Sequence, residues 1–126
     1  GDGILMGLLL LEIMADAGTP LQALIRDIQA TYGPTYYTRR DLPQRRPVSK
    51  SKMVARLQEM APASLAGQTV SDVQAIDGVK YLLADDAWLL IRPSGTEPVL
   101  RVYAEGRDEK EVDALLAYGA EVALHN

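Results

Sequence analysis

The spacing of apolar residues divides the chain into an all-helical start and a mixed remainder. Ile4, Leu5, Leu8, Leu9, Leu11 and Met14 leave almost no polar face, so the helix predicted over residues 2–17 needs walls on more than one side. Asp2 is placed to cap it, and Gly18 to stop it by adopting a positive φ. A second start signal follows in Thr19-Pro20-Leu21-Gln22, with Thr19 read as the N-cap and Pro20 as the first helical residue. Leu21, Leu24, Ile25 and Ile28 then recur at helical spacing until Gly33-Pro34 ends the run. The two helices make an αα-hairpin over residues 1–34, an orphan without walls of its own that we assign to the tail of a preceding domain.

Beyond Pro34 the period shortens. Tyr36, Tyr37 and Thr38 favour a strand over residues 35–42, and Pro43 and Pro47 bracket a loop after it. Ser49 is read as the N-cap of a helix reaching Met60, with Met53, Val54, Leu57, Met60 and Ala61 on one face. Three short strands are predicted at residues 70–76, 79–84 and 87–92, parted by Asp77-Gly78 and Asp85-Asp86. In residues 99–105, Leu100, Val102 and Ala104 alternate with Val99, Arg101, Tyr103 and Glu105, which gives a strand with one apolar and one mixed face. Asp108, with Glu111 three residues on, opens a last helix whose Val112, Leu115, Leu116, Ala120, Ala123 and Leu124 form a stripe. The order β-α-β-β-β-β-α implies an α+β domain over residues 35–126, with a mainly antiparallel four- or five-stranded sheet and two helices on one face. Trp88 and Leu90 alternate with Leu89 and Ile91, so both sides of that strand are apolar and Trp88 is assigned to the core.

Composition narrows the classes. With 126 residues and 48% apolar content the chain can build one compact core plus an appendage. A net charge of -4 argues against chain-wide attraction to nucleic acid or anionic membrane. The absence of cysteine removes disulfides, thiolate metal sites and thiol nucleophiles, and fits a cytoplasmic protein. The apolar run of residues 4–14 is interrupted by Gly7 and Glu12, is too short to span a membrane, and lacks the basic segment of a secretory signal.

Candidate chemistry gathers at one loop. Arg92-Pro93-Ser94-Gly95-Thr96-Glu97-Pro98 lies between two strong strand patterns and combines a guanidinium, two hydroxyls and a glycine. Arg92 can offer a planar fork to two oxygens of an anion, with Ser94 and Thr96 donating to a third. Gly95 would let successive N–H groups point inward as a nest. The same composition also makes an ordinary chain reversal.

Arg-Pro-Ser-Gly-Thr-Glu-Pro followed by Val-Leu-Arg-Val-Tyr resembles the phosphate-binding loop and next strand in the last domain of the α-D-phosphohexomutases, the phosphoglucomutase/phosphomannomutase group. Asp2-Gly3-Ile4-Leu5, Leu8 to Leu11, Glu12 and Pro20-Leu21 resemble the helices that close that family's third domain. The resemblance implies a TATA-binding-protein-like fold for the last domain and a substrate-phosphate site at Arg92, Ser94, Gly95 and Thr96, with Arg101 and Glu97 as further candidates. It implies a parent isomerase that interconverts hexose 1- and 6-phosphates through a bisphosphorylated intermediate. Its partners would be a hexose phosphate and the N-terminal domains of the same enzyme. The family's phosphoserine loop, Mg²⁺ loop and sugar-selecting loop do not occur in this sequence. No catalytic or metal-binding residue is therefore assigned, Mg²⁺ would bind elsewhere in the parent, and the chain alone should be inactive.

A second reading rests on seven of the 13 basic residues falling between Arg39 and Arg56, which suggests a nucleic-acid- or protein-binding module. No nucleic-acid signature accompanies those charges, and a solvated basic face is the default. His125 is next to the chain end and is read as inert, while the acids between Glu105 and Asp113 are read as cap and helix-dipole partners.

Overall fold

A computed structural model of the chain describes residues 1–44 and 49–124. They divide into two units, Gly1–Pro34 and Thr35–Asn126. The first holds α1 (Gly3–Ala17) and α2 (Leu21–Tyr32). Asp2 accepts the N–H groups of Ile4 and Leu5, and Gly18 closes α1 at φ 62°. Helix α2 begins one residue later than expected. Pro20 is its N-cap at ψ 156°, its carbonyl accepts from Ala23 and Leu24, and Thr19 makes no cap bond. Neither helix has a buried residue, and Ile4, Leu8 and Leu11 of α1 are 81%, 59% and 60% exposed. Among the described residues no single helix is long and apolar enough to cross a membrane.

The second unit is α+β. Its elements are β1 (Tyr36–Pro43), α3 (Lys50–Glu59), β2 (Ser64–Leu65), β3 (Gln68–Gln74), β4 (Val79–Leu83), β5 (Trp88–Pro93), β6 (Val99–Gly106) and α4 (Glu109–Leu124). They form one six-stranded sheet in the order β1-β6-β5-β4-β3-β2. Every pairing is antiparallel. The sheet has six strands, and the expectation of four or five missed β2, a two-residue arm.

Period-two alternation builds the core. Val79, Tyr81, Leu83, Leu89, Ile91, Leu100, Val102 and Ala104 are buried on one face, against Met53 and Leu57 of α3 and Val112, Leu115, Leu116 and Ala123 of α4. Burying one such aliphatic side chain contributes roughly 1.5–3 kcal/mol. The buried Tyr81 hydroxyl donates to the Leu57 carbonyl at 2.7 Å, which ties α3 to β4. Gly119 lets α4 approach the sheet closely, because a Cβ there would stand 2.5 Å from Val102 Cγ1.

Three local expectations are corrected. Ser49 is the N-cap of α3 but bonds the Ser51 hydroxyl, leaving the helix N–H groups without a side-chain cap. Met60 ends α3 56% exposed and does not join its buried face. Trp88 is half-buried outside the core, on the opposite face of β5, where Tyr37 lies 6.1 Å away and Lys80 Nζ sits 4.2 Å above the ring. The cation–π contact and the aromatic neighbour shield the indole there, so an apolar residue on that face needs no second layer.

Candidate functional site

The β5–β6 connection borders an open cleft of about 700 Å³ lined by Gln44, Lys50, Asp77 and residues 92–99. Four of the residues expected there, Arg92, Ser94, Gly95 and Thr96, share this cleft. Arg92 extends from the end of β5 with its side chain 35% exposed, yet its Nε is buried without a hydrogen-bond partner among the described residues. The Ser94 N–H donates to Val99 at 2.8 Å and so closes the loop, while the Thr96 N–H points at the Ser94 hydroxyl at 3.5 Å. The N–H groups of Gly95 and Glu97 have no acceptor among the described residues.

The nest expected at Gly95 is absent. Positive φ among the described residues occurs at Gly18, Gly33, Ala66, Gly67, Gly78 and Asp86, and none of these lies in the loop. A Cβ on Gly95 would meet nothing within 4 Å. What glycine supplies there is an unobstructed approach to the backbone.

Arg101, also a candidate, faces Arg92 across the β5–β6 ladder. It does not line the cleft. Its guanidinium donates to Glu97 at 3.1 Å, and its buried Nε has no partner either. Two guanidinium groups directly opposite on one sheet face repel each other, and that cost is offset by an acid beside each. Glu97 serves Arg101; Asp77 serves Arg92 at 3.3 Å.

Two residues of the cleft were read only as punctuation and surface. Asp77 lies in the β3–β4 turn and also holds the Lys50 ammonium at 2.7 Å. Its carboxyl is kept below its ordinary pKa, first by the Lys50 hydrogen bond and then by the Arg92 charge. No sequence signal joins these three, because Lys50 and Asp77 are 27 positions apart. Gly78 makes the contact possible. At φ 101°, it lies so close to β5 that a Cβ would overlap the Ile91 carbonyl oxygen and stand 2.6 Å from Arg92 Cβ.

Arg39 pairs with Asp41 at 3.0 Å and lies 6.0 Å from the Tyr103 ring centre, whereas Arg45 and Arg46 fall outside the described residues, as does His125. No group of three or more acidic or histidine side chains among the described residues is placed to hold a metal ion.

Residues 44–122 match the family described as phosphoglucomutase/phosphomannomutase, C-terminal domain. A phosphopentomutase of Thermococcus kodakarensis is 38% identical over 112 residues, 89% of this chain and 23% of the relative. A probable phosphoglucosamine mutase of Methanothermobacter thermautotrophicus is 37% identical over 87% of this chain, and a phosphoglucosamine mutase of Halorhodospira halophila 36% identical over 91%. The chain spans only 23% and 21% of the length of those two relatives. A match over most of the second unit leads to one conclusion: the chain belongs to the phosphoglucomutase/phosphomannomutase family and carries its C-terminal domain.

Proposed function

We propose that the β5–β6 cleft holds the phosphate of a sugar phosphate, with Arg92, Ser94 and Thr96 as side-chain donors, the free N–H groups of Gly95 and Glu97 as backbone donors, and Arg101 reinforcing the field from the next strand. The observation that carries this is Arg92 itself: a partly exposed guanidinium that lines the same cleft as two hydroxyls. The parent enzyme is a Mg²⁺-dependent, cytoplasmic isomerase that moves phosphate between the 1- and 6-positions of a hexose or hexosamine. Residues 1–34 are the tail of its third domain, and residues 35–126 its last domain, of TATA-binding-protein-like fold.

This domain contributes grip and charge neutralisation. A bisphosphorylated sugar that turns over between two half-reactions needs one site that accepts either non-reacting phosphate, and a loop reading only phosphate oxygens does that. The nucleophile, the metal and the sugar-selecting groups belong to other domains, so this chain alone should show no mutase activity.

In an NMR titration of the full chain, glucosamine 6-phosphate should shift the amides of residues 92–97 before those of residues 39–44, with a Kd on the order of millimolar. Arg92→Lys keeps the charge and loses the fork, and at a partly exposed site this should raise Kd about fivefold, roughly 1 kcal/mol. Arg39→Lys should leave Kd unchanged. Shifts centred on residues 39–44, with Arg92→Lys silent, would transfer the site to the basic segment.

A further inference from the structure

Resting on that reading of the loop, we propose that Asp77 is a built-in competitor for the phosphate: its carboxylate bridges Lys50 and Arg92 in the cleft, and the entering phosphate displaces it and takes both cations, making Lys50 a further phosphate ligand.

The geometry has three parts. Asp77 places one oxygen 2.7 Å from Lys50 Nζ and the other 3.3 Å from Arg92 Nη1, so a single carboxylate spans the two cations as two oxygens of a phosphate would. Lys50 and Asp77 both line the cleft together with Ser94 and Thr96. Displacement is open to Asp77, because its side chain is 55% exposed and that of Lys50 56%. Swinging such a carboxylate into water is a rotamer change, fast compared with turnover.

The exchange has a chemical consequence. A carboxylate carries one negative charge and two oxygens. A phosphate dianion carries two charges and three free oxygens, and so gains more from two cations plus two hydroxyls than the carboxylate does. A monoanion gains nothing over Asp77, so the competitor sets a threshold that favours dianions over the carboxylates and chloride of a cell. Between substrates it holds Lys50 and Arg92 on one carboxylate beside the cleft, which lowers the ordering cost of binding.

Inorganic phosphate titrated into the full chain, read by amide shifts at residues 92–97 and by the carboxyl ¹³C shift of Asp77, tests this. In the wild type the Asp77 carboxyl signal should move with the same Kd as the loop amides. Asp77→Asn should bind phosphate about two- to fivefold more tightly, the range an exposed ion pair is worth, and Lys50→Gln about two- to fivefold more weakly. Acetate should shift the loop amides in Asp77→Asn and not in the wild type. Asp86→Asn changes the net charge equally at another turn and should leave the phosphate Kd as it was. Asp77→Ala, with an amide spectrum showing the fold intact, should repeat the tightening. A phosphate Kd that weakens on Arg92→Lys but ignores both the Asp77 and Lys50 changes overturns this inference and leaves the loop standing. Absence of loop shifts in the wild type overturns both.

Discussion

At the scale of single residues, Gly78 sets the site. It occupies a backbone conformation that side chains rarely adopt and touches the backbone of β5 where Arg92 begins. Gly78→Ala should therefore cost about 1–3 kcal/mol, combining positive-φ strain with a backbone clash, and it should release Asp77 from Arg92. Thermal denaturation reads the first effect and the Asp77 carboxyl shift the second. An Ala variant as stable as the wild type would mean that the turn does not pack on β5. Glycine at residue 95 predicts the contrast: with open space and no positive φ, Gly95→Ala should leave stability unchanged within about 0.5 kcal/mol while weakening phosphate binding by narrowing the approach. The sequence makes Arg92, Ser94 and Thr96 legible as candidates because they fall within one five-residue stretch, and their donor chemistry is carried by residue type. Lys50 and Asp77 were illegible as site residues, since only the folding of a distant helix start and turn over the loop brings them in.

At the scale of elements, the start of α4 is a small titrating device. Glu111 accepts the Arg107 N–H at 2.8 Å, Asp108 accepts the Glu111 N–H at 2.8 Å, and the 7%-exposed Asp85 side chain reaches in from the β4–β5 turn. The Glu111 pKa is raised, first by burial, against the Arg107 N–H bond, and further by the carboxylates of Asp85 and Asp108. The folded chain therefore holds this proton more tightly than the unfolded chain. The stabilisation it contributes is complete below the unfolded pKa and is lost as pH rises through the folded one. Glu111→Gln keeps an acceptor for Arg107 and a donor for Asp85 at every pH. Its melting temperature relative to wild type should therefore rise as pH climbs through the carboxylate range, and a flat difference would show that the folded chain does not hold the Glu111 proton more tightly.

The same elements show what period and punctuation reveal. Strands β3 to β6 were visible from alternation between turn pairs, and the last helix from its stripe. Strand β2 was not, because its two-residue turn uses Ala66 at φ 48° before Gly67, and alanine gives no sign of a left-handed turn. The face of Trp88 was misread for a related reason: alternation shows that both sides of β5 are apolar, but which side receives helices depends on contacts across the sheet.

At the scale of the molecule, the two units differ in what they can do alone. Every buried core side chain among the described residues lies between Met53 and Ala123, so the second unit carries its own hydrophobic centre. Unit Gly1–Pro34 has none, and α1 exposes Ile4, Leu5, Met6, Leu8, Leu9, Leu10, Leu11 and Ile13. A contiguous aliphatic surface of that kind drives association in water. A chain beginning at Thr35 should therefore stay folded, run as a monomer in size-exclusion chromatography and keep its phosphate Kd within about twofold, since every residue lining the cleft belongs to the second unit. The full chain should run larger, and Leu8→Glu with Leu11→Glu should return it to monomer size without changing the amide positions of residues 92–97. If removal of residues 1–34 instead unfolds the sheet, the helical hairpin supplies stability that the core of the second unit lacks, and the division at Pro34 is not a boundary between independent parts.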